Sequence, residues 1–243
     1  MPSFPKLDPD TLRQRLAPPT GPVQMVLDTD TYNEIDDQFA VVYGLLSTGV
    51  NVEAIYAAPF FNARSSGPGD GMLKSYDEIL RLLERLDRPH EGFAYHGSDR
   101  YLGSPDTPVR SEAAEDLIAK AMTERDGPLY VLTIGAITNI ASALLLEPEI
   151  VRHIVVVWLG GQPLHWPHVR EFNLRQDLHA ARVLLDSGVP LVLLPTYGVT
   201  SHLLTTLAEI EHELAGADVS KSFGQSAAAI KSWVAKYEKG GAA

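Results

Sequence analysis

The sequence predicts a three-layer α/β domain: a mostly parallel sheet with helices on both faces, Rossmann-like in outline. Short apolar runs of strand length alternate with amphipathic runs of helix length along most of the chain. Acidic residues also crowd the point where the first strand hands over to the first helix, and in open α/β sheets that edge is where ligands bind.

Taken in order, Val23, Met25, Val26 and Leu27 mark a buried strand over 23–29. Phe39, Ala40, Val41, Val42, Leu45 and Leu46 mark an apolar helix over 37–48, stopped by Gly49, with Asp36 as its expected cap. A strand over 52–58 and a helix over 72–86 follow, separated by the loop FFNARSSGPGDGM. A weaker strand near 93–96 precedes a helix over 111–124 capped by Ser111. A strand at 129–134 feeds a helix at 138–146, where Asn139 after Thr138 reads as a capping residue. A strand at 153–158, the long loop 160–176, a helix at 177–187 capped by Asp177 and a strand at 190–195 complete the alternation. Helices are expected at 203–214 and 220–238. Both long loops follow strands, so both lie on the aspartate edge, and loops of that length in compact domains are usually functional or disordered.

At 243 residues and 45% hydrophobic composition the chain fits one large domain or at most two small ones. The expected organisation is a Pro-rich arm over 1–21, a single α/β domain over 22–238 and a flexible or cut-off tail over 239–243. The arm lacks the apolar core of a signal peptide and has room for a short helix near Asp10 to Leu16. Cysteine is absent, which removes disulfides, thiolate nucleophiles and cysteine zinc sites and suits a cytoplasmic location. A net charge of −11 with no basic stripe argues against nucleic acid or anionic membrane as partner. No apolar run reaches the roughly 20 residues of a membrane helix.

The acidic cluster is Asp28, Asp30, Asp36 and Asp37 in VLDTDTYNEIDDQFA. Like charges this close repel, and burying them unpaired is costly, so a hard cation is the expected neutraliser. The spacing is not that of an EF-hand, which would put Asn33 at the glycine position and Phe39 at position twelve. A DxD pair after a strand also suits a phosphatase of the haloacid dehalogenase class, with Asp28 as nucleophile and magnesium as ion. That class wants a threonine where this chain has Tyr32.

Three ordered blocks carry a resemblance to the inosine-uridine-preferring nucleoside hydrolases. VLDTD…IDDQFA resembles their DxDPGxDD signature, LTIGAITNIASALLLEP their G-x-x-T-N-x-A segment, and WLGG…REFNLRQDLHAARVLLDSGVPLVLLP their GG…AEFN…D stretch. The resemblance implies calcium-dependent hydrolysis of a nucleoside to base and ribose. It implies Asp30 as general base and metal ligand, Asp37 as bidentate ligand, and the Ile134 carbonyl as a further ligand. Asp36, Glu171, Asn173 and, more loosely, Asn62 would hold sugar hydroxyls, with Asp28 in support. It also implies a small-molecule nucleoside partner and a homo-oligomer. His165, Trp166 and His168, in the loop before REFN, read either as base contacts or as exposed residues of a mobile loop.

The chain departs from that pattern in three places. Its first aspartate loop is two residues longer, with Thr31, Tyr32, Asn33 and Glu34 in place of the Pro-Gly turn. The HGxxG loop is not evident around His96-Gly97. The family's late metal-binding aspartate has no match, since the only aspartate after Leu194 is Asp218 in a polar turn. A weak, exchangeable metal site and a truncated, non-catalytic riboside binder are therefore also expectations of the sequence.

Overall fold

The computed structural model describes residues 2–214. The expected helix over 220–238, the tail and Asp218 lie outside the described residues. The chain divides into two compact units, Met1–Thr200 and Ser201–Ala243.

In the first unit the order is α1 (Pro9–Leu16), β1 (Val23–Thr29), α2 (Ile35–Leu46), β2 (Val50–Ala57), α3 (Pro68–Arg85), β3 (Ala94–Tyr95) and α4 (Glu112–Ala121). It continues through β4 (Leu129–Thr133), α5 (Thr138–Leu146), β5 (Ile154–Leu159), α6 (Phe172–Gln176), α7 (Leu178–Ser187) and β6 (Leu191–Leu194). All the strand pairings are parallel, in the order β3-β2-β1-β4-β5-β6. The chain thus winds outward from β1 in one direction, then returns to build the other half from β4. That reversal opens a crevice outside the carboxyl ends of β1 and β4, where ligands bind in such sheets.

Strand side chains alternate between faces. Val26, Tyr56, Val131, Val156 and Trp158 pack with Leu117 of α4, Ile140 and Leu144 of α5, and Val183 and Leu184 of α7. Met25, Leu27, Ile55 and Ala57 pack on the other face with Val41 and Leu45 of α2 and Ile79, Leu82 and Leu83 of α3. Each buried Val, Leu, Ile or Met among these contributes ~1.5–3 kcal/mol, so the two cores fix the strand register firmly. The same alternation turns Asp28 towards α5 and Thr29 towards α2.

The expected caps of Ser111 and Asp177 form, on the Ala114 and Ala180 amides at 3.2 and 2.9 Å. Two others do not. Helix α2 starts earlier than expected, because a turn closed by Asn33 N–H donating to the Asp30 carbonyl (2.7 Å) delivers an extended Glu34 to the cap position. Asp36 therefore lies in the first helical turn and caps nothing. Asn139 lies inside α5, Ile137 takes its cap position, and no side chain caps that end. The arm carries α1, capped by Asp8, and seats Phe4 and Leu7 against the larger core.

In the second unit, α8 spans Leu207–Leu214, shorter than the expected 203–214. Thr206 and Glu209 form a reciprocal capping box there: Thr206 N–H donates to the Glu209 carboxylate at 2.7 Å, and Glu209 N–H to the Thr206 hydroxyl at 3.2 Å. No described helix is long and apolar enough to cross a membrane.

Candidate active site

Asp28 ends its strand facing α5 with 0% exposure. One carboxylate oxygen accepts from Asn139 Nδ2 at 2.7 Å and the other from Thr133 Oγ1 at 3.0 Å. Burial pushes its pKa up to about 7, against the pull of those two bonds. Asn139, itself 0% exposed, also donates to the Ala57 carbonyl (3.2 Å) and accepts from Ser98 N–H (2.7 Å). It is a cross-link between β1, β2 and the segment after β3, not a helix cap.

Asp30 and Asp37 are the buried pair at the mouth of the crevice, at 2% and 5% exposure. Asp30 Oδ2 accepts from Asn33 Nδ2 at 3.1 Å, and Asp37 Oδ1 accepts from Thr29 Oγ1 at 2.5 Å. Thr29 and Thr31 link their hydroxyls at 3.0 Å. Burial raises the pKa of Asp30 well above the carboxylate range, with Glu34 and Asp36 adding repulsion. Burial also raises Asp37, and Asp30, Asp36 and Glu34 raise it further. Asp36 and Glu34 are exposed at the rim. Gly135 lets Asp30 approach the end of β4: a Cβ there would lie 3.3 Å from both its amide nitrogen and its Oδ1.

The β4 end and α6 close the other side. Ile134 N–H donates to the Asp28 carbonyl at 2.9 Å. Its own carbonyl accepts from Asn173 Nδ2 at 2.9 Å, and the same amide donates to the Leu159 carbonyl at 2.9 Å. Asn173 thereby ties β4 to β5. Glu171 caps α6: Oε1 accepts from Asn173 N–H at 2.9 Å, and Oε2 accepts from Leu174 N–H at 2.9 Å and Gly161 N–H at 2.8 Å. Burial and the charge of Asp36, with a smaller contribution from Glu171, raise the pKa of Glu34. Gln176 Oε1 accepts from Phe61 N–H at 2.7 Å and from the Tyr101 hydroxyl. Tyr101 has its pKa raised by burial and by the charges of Asp30 and Asp177.

Asn62 reaches the cluster through Asn33, donating from Nδ2 to Asn33 Oδ1 at 2.6 Å. His165 and His168 are exposed. The Trp166 ring packs on Tyr197 at 4.1 Å and meets His168 edge-on at 6.4 Å. Among the described residues the ring contacts of Trp166 and His168 stay within this loop and the turn after β6. The structure thus gathers Asp28, Asp30, Asp37, Ile134, Asn173 and Asn62 into one bonded edge and leaves the histidine loop to one side. Asn33, Asn139, Thr133, Gly135, Gln176 and Tyr101 were not identified as site residues from the sequence. Gly135 and Thr133 border a strand end beside the aspartates, which was their available signal. A cavity of about 630 Å³ lies elsewhere, along β3, lined by Tyr76, His90, Tyr95, Glu112 and Asp116 among others.

The donor chemistry fits a hard divalent cation. Asp30, Asp37 and the second lone pair of the Ile134 carbonyl are hard oxygens, and the largest charges acting on Asp37 are all negative. Among the described residues no three acidic, histidine or cysteine side chains are grouped to hold a metal by themselves. These three residues would therefore supply part of a coordination shell, with other oxygens supplying the rest.

A sequence profile of the family described as inosine-uridine preferring nucleoside hydrolase matches residues 69–242, a span that begins after the aspartate cluster. The pyrimidine-specific ribonucleoside hydrolase RihA of Salmonella typhimurium is 30% identical over 189 residues, covering 70% of this chain and 58% of that protein. The chain thus spans 58% of the length of this relative. A solved purine-preferring ribonucleoside hydrolase from Gardnerella vaginalis superposes with a TM-score of 0.60 at 25% identity, over 77% of this chain and 65% of that one. A solved inosine-guanosine nucleoside hydrolase superposes with a TM-score of 0.62 at 20% identity, over 82% and 70% of the two chains, and supports the fold.

Proposed function

This chain belongs to the inosine-uridine preferring nucleoside hydrolase family, and we propose that it hydrolyses the N-glycosidic bond of ribonucleosides to free base and ribose. The observation that carries the proposal is the pair of buried carboxylates, Asp30 and Asp37, at the strand-order reversal of a parallel sheet. N-glycosidic cleavage passes through an oxocarbenium-like sugar, so it needs a carboxylate to take a proton from water and retained negative charge to face the developing cation.

In this reading Asp30 is the general base. It is buried at the crevice mouth with one oxygen held by Asn33 Nδ2 at 3.1 Å. Asn173, Asn62, Asp36 and Glu171 surround the sugar position, and Asp28 supports the floor through Asn139 and Thr133. His165, Trp166 and His168 would contact the base. Calcium, held by Asp30, Asp37 and the Ile134 carbonyl, would acidify water and anchor the ribose diol when bound. The enzyme would act in the cytoplasm as a homo-oligomer. A phosphatase chemistry through Asp28 is not favoured, because both oxygens of that fully buried side chain are already hydrogen-bonded.

The test is release of reducing sugar from inosine and uridine by the purified chain with calcium supplied, beside a phosphate-ester control. Asp30→Asn is expected to cut nucleoside turnover by about 10²-fold or more with the fold intact. Wild-type turnover in that variant refutes the assignment of the base. Riboside binding without cleavage at saturating calcium would move the reading to a non-catalytic binder.

A further inference from the structure

We propose that Asn33 is a positioning residue for Asp30, coupling the base to the sugar-holding Asn62. The proposal rests on the nucleoside hydrolase reading above and deepens it. Asn33 belongs to the turn between β1 and α2, in the stretch Thr31 to Glu34, and it is 3% exposed. Both ends of its amide are used: Nδ2 donates to Asp30 Oδ2 at 3.1 Å, and Oδ1 accepts from Asn62 Nδ2 at 2.6 Å. Its backbone N–H closes the turn on the Asp30 carbonyl at 2.7 Å.

A backbone donor sets the direction of that amide. Asn62 Oδ1 accepts from Arg64 N–H at 2.8 Å, so Asn62 turns its own nitrogen to the Asn33 oxygen, and the Asn33 nitrogen is left facing Asp30. One buried side chain therefore fixes the rotation of the Asp30 carboxylate, at the end of β1, and the aim of Asn62, in the loop after β2. The turn reaches a position from which it touches both groups. It also lays Tyr32 beside the Lys74 ammonium, 5.9 Å from the ring centre, on the same side as the Asn62 loop. Asn33 acts through Asp30 and Asn62, without reaching the scissile bond itself.

The test uses the full chain and steady-state kinetics with inosine and uridine at saturating calcium. Asn33→Asp keeps the size and keeps an oxygen for Asn62, but turns an oxygen towards Asp30. It is expected to lower kcat by about 10–100-fold and to change KM by less than about threefold, as for loss of an orienting partner. Asn62→Ala removes only the other arm and is expected to raise KM more than it lowers kcat. Asn33→Ala should do both. A merely structural residue would lower the folded fraction, read by circular dichroism, and leave kcat per folded molecule and KM unchanged. Wild-type kcat in a folded Asn33→Asp overturns the proposal, as does a crystal structure of Asn33→Ala with the Asp30 carboxylate unmoved. If the wild-type chain itself releases no ribose from either nucleoside, the nucleoside hydrolase reading fails first, and the role given to Asn33 falls with it.

Discussion

Replacing Asn139 with alanine should be among the most damaging single changes in this fold. The amide makes three bonds in a fully buried position: to Asp28 Oδ1 (2.7 Å), to the Ala57 carbonyl (3.2 Å) and from Ser98 N–H (2.7 Å). Removing it strands a carboxylate oxygen, a carbonyl and an amide hydrogen at once. A buried polar group left unpaired costs about 1–3 kcal/mol, and more when it is charged. A water entering the vacated space recovers part of this. The expected loss is therefore about 4 kcal/mol, a large share of the ~5–15 kcal/mol that holds a typical domain. With a urea m-value of about 2 kcal/mol/M, the unfolding midpoint should fall by about 2 M at constant m. Thr133→Val is the control: it removes one bond to Asp28, so its midpoint should fall by about 1 M or less. A midpoint within about 0.5 M of wild type for Asn139→Ala, with m unchanged, would refute the view that this amide holds the site's floor.

Gly97→Ala should fail to fold or should unfold far earlier, because its Cβ would lie 1.9 Å from the Ala57 carbonyl oxygen and 2.6 Å from Asn139 Nδ2; the soluble yield and thermal melt check this. Gly135→Ala is milder, with a Cβ at 2.9 Å from Ala58 Cβ and 3.3 Å from Asp30 Oδ1, and should lower turnover about tenfold or more while the urea midpoint shifts by less than about 1 M. Calcium should raise the melting temperature and increase turnover in proportion to site occupancy, and chelator should reverse both; a melting curve indifferent to calcium and chelator would argue against Asp30, Asp37 and Ile134 as ligands.

The order of strands and helices was legible because two cores impose two periodicities on the sequence. Ser111 and Asp177 were legible as caps because a cap acts within three residues of itself. Asn139 misled for the complementary reason. A Thr-Asn pair before an apolar run looks the same whether it caps a helix or reaches into a sheet, and its partners Asp28 and Ser98 lie 111 and 41 residues away. Asp36 misled because the start of α2 is set by the turn from Asp30 to Asn33, whose closing bond no propensity reports. The EFN run was read only for sugar binding, and the structure adds two roles that reading did not name: Glu171 caps α6, and Asn173 bridges two strand ends.

The four aspartates read as one cluster in the sequence, but the fold sorts them by the kind of partner each receives. Asp28 is held on both oxygens by neutral donors and lies deepest. Asp30 and Asp37 each receive one neutral donor, Asn33 and Thr29 respectively, and repel each other. Asp36 is left at the rim, in water. Amide and hydroxyl donors stabilise a carboxylate without cancelling its charge, whereas an arginine or lysine in the same place would neutralise it. A fold selected for stability alone would place apolar residues or ion pairs at these positions. Keeping charge where β1 and β4 part is unfavourable in the empty site; in the proposed reaction a cation or a developing positive sugar would relieve that cost, and such a difference between empty and engaged states is what transition-state binding requires.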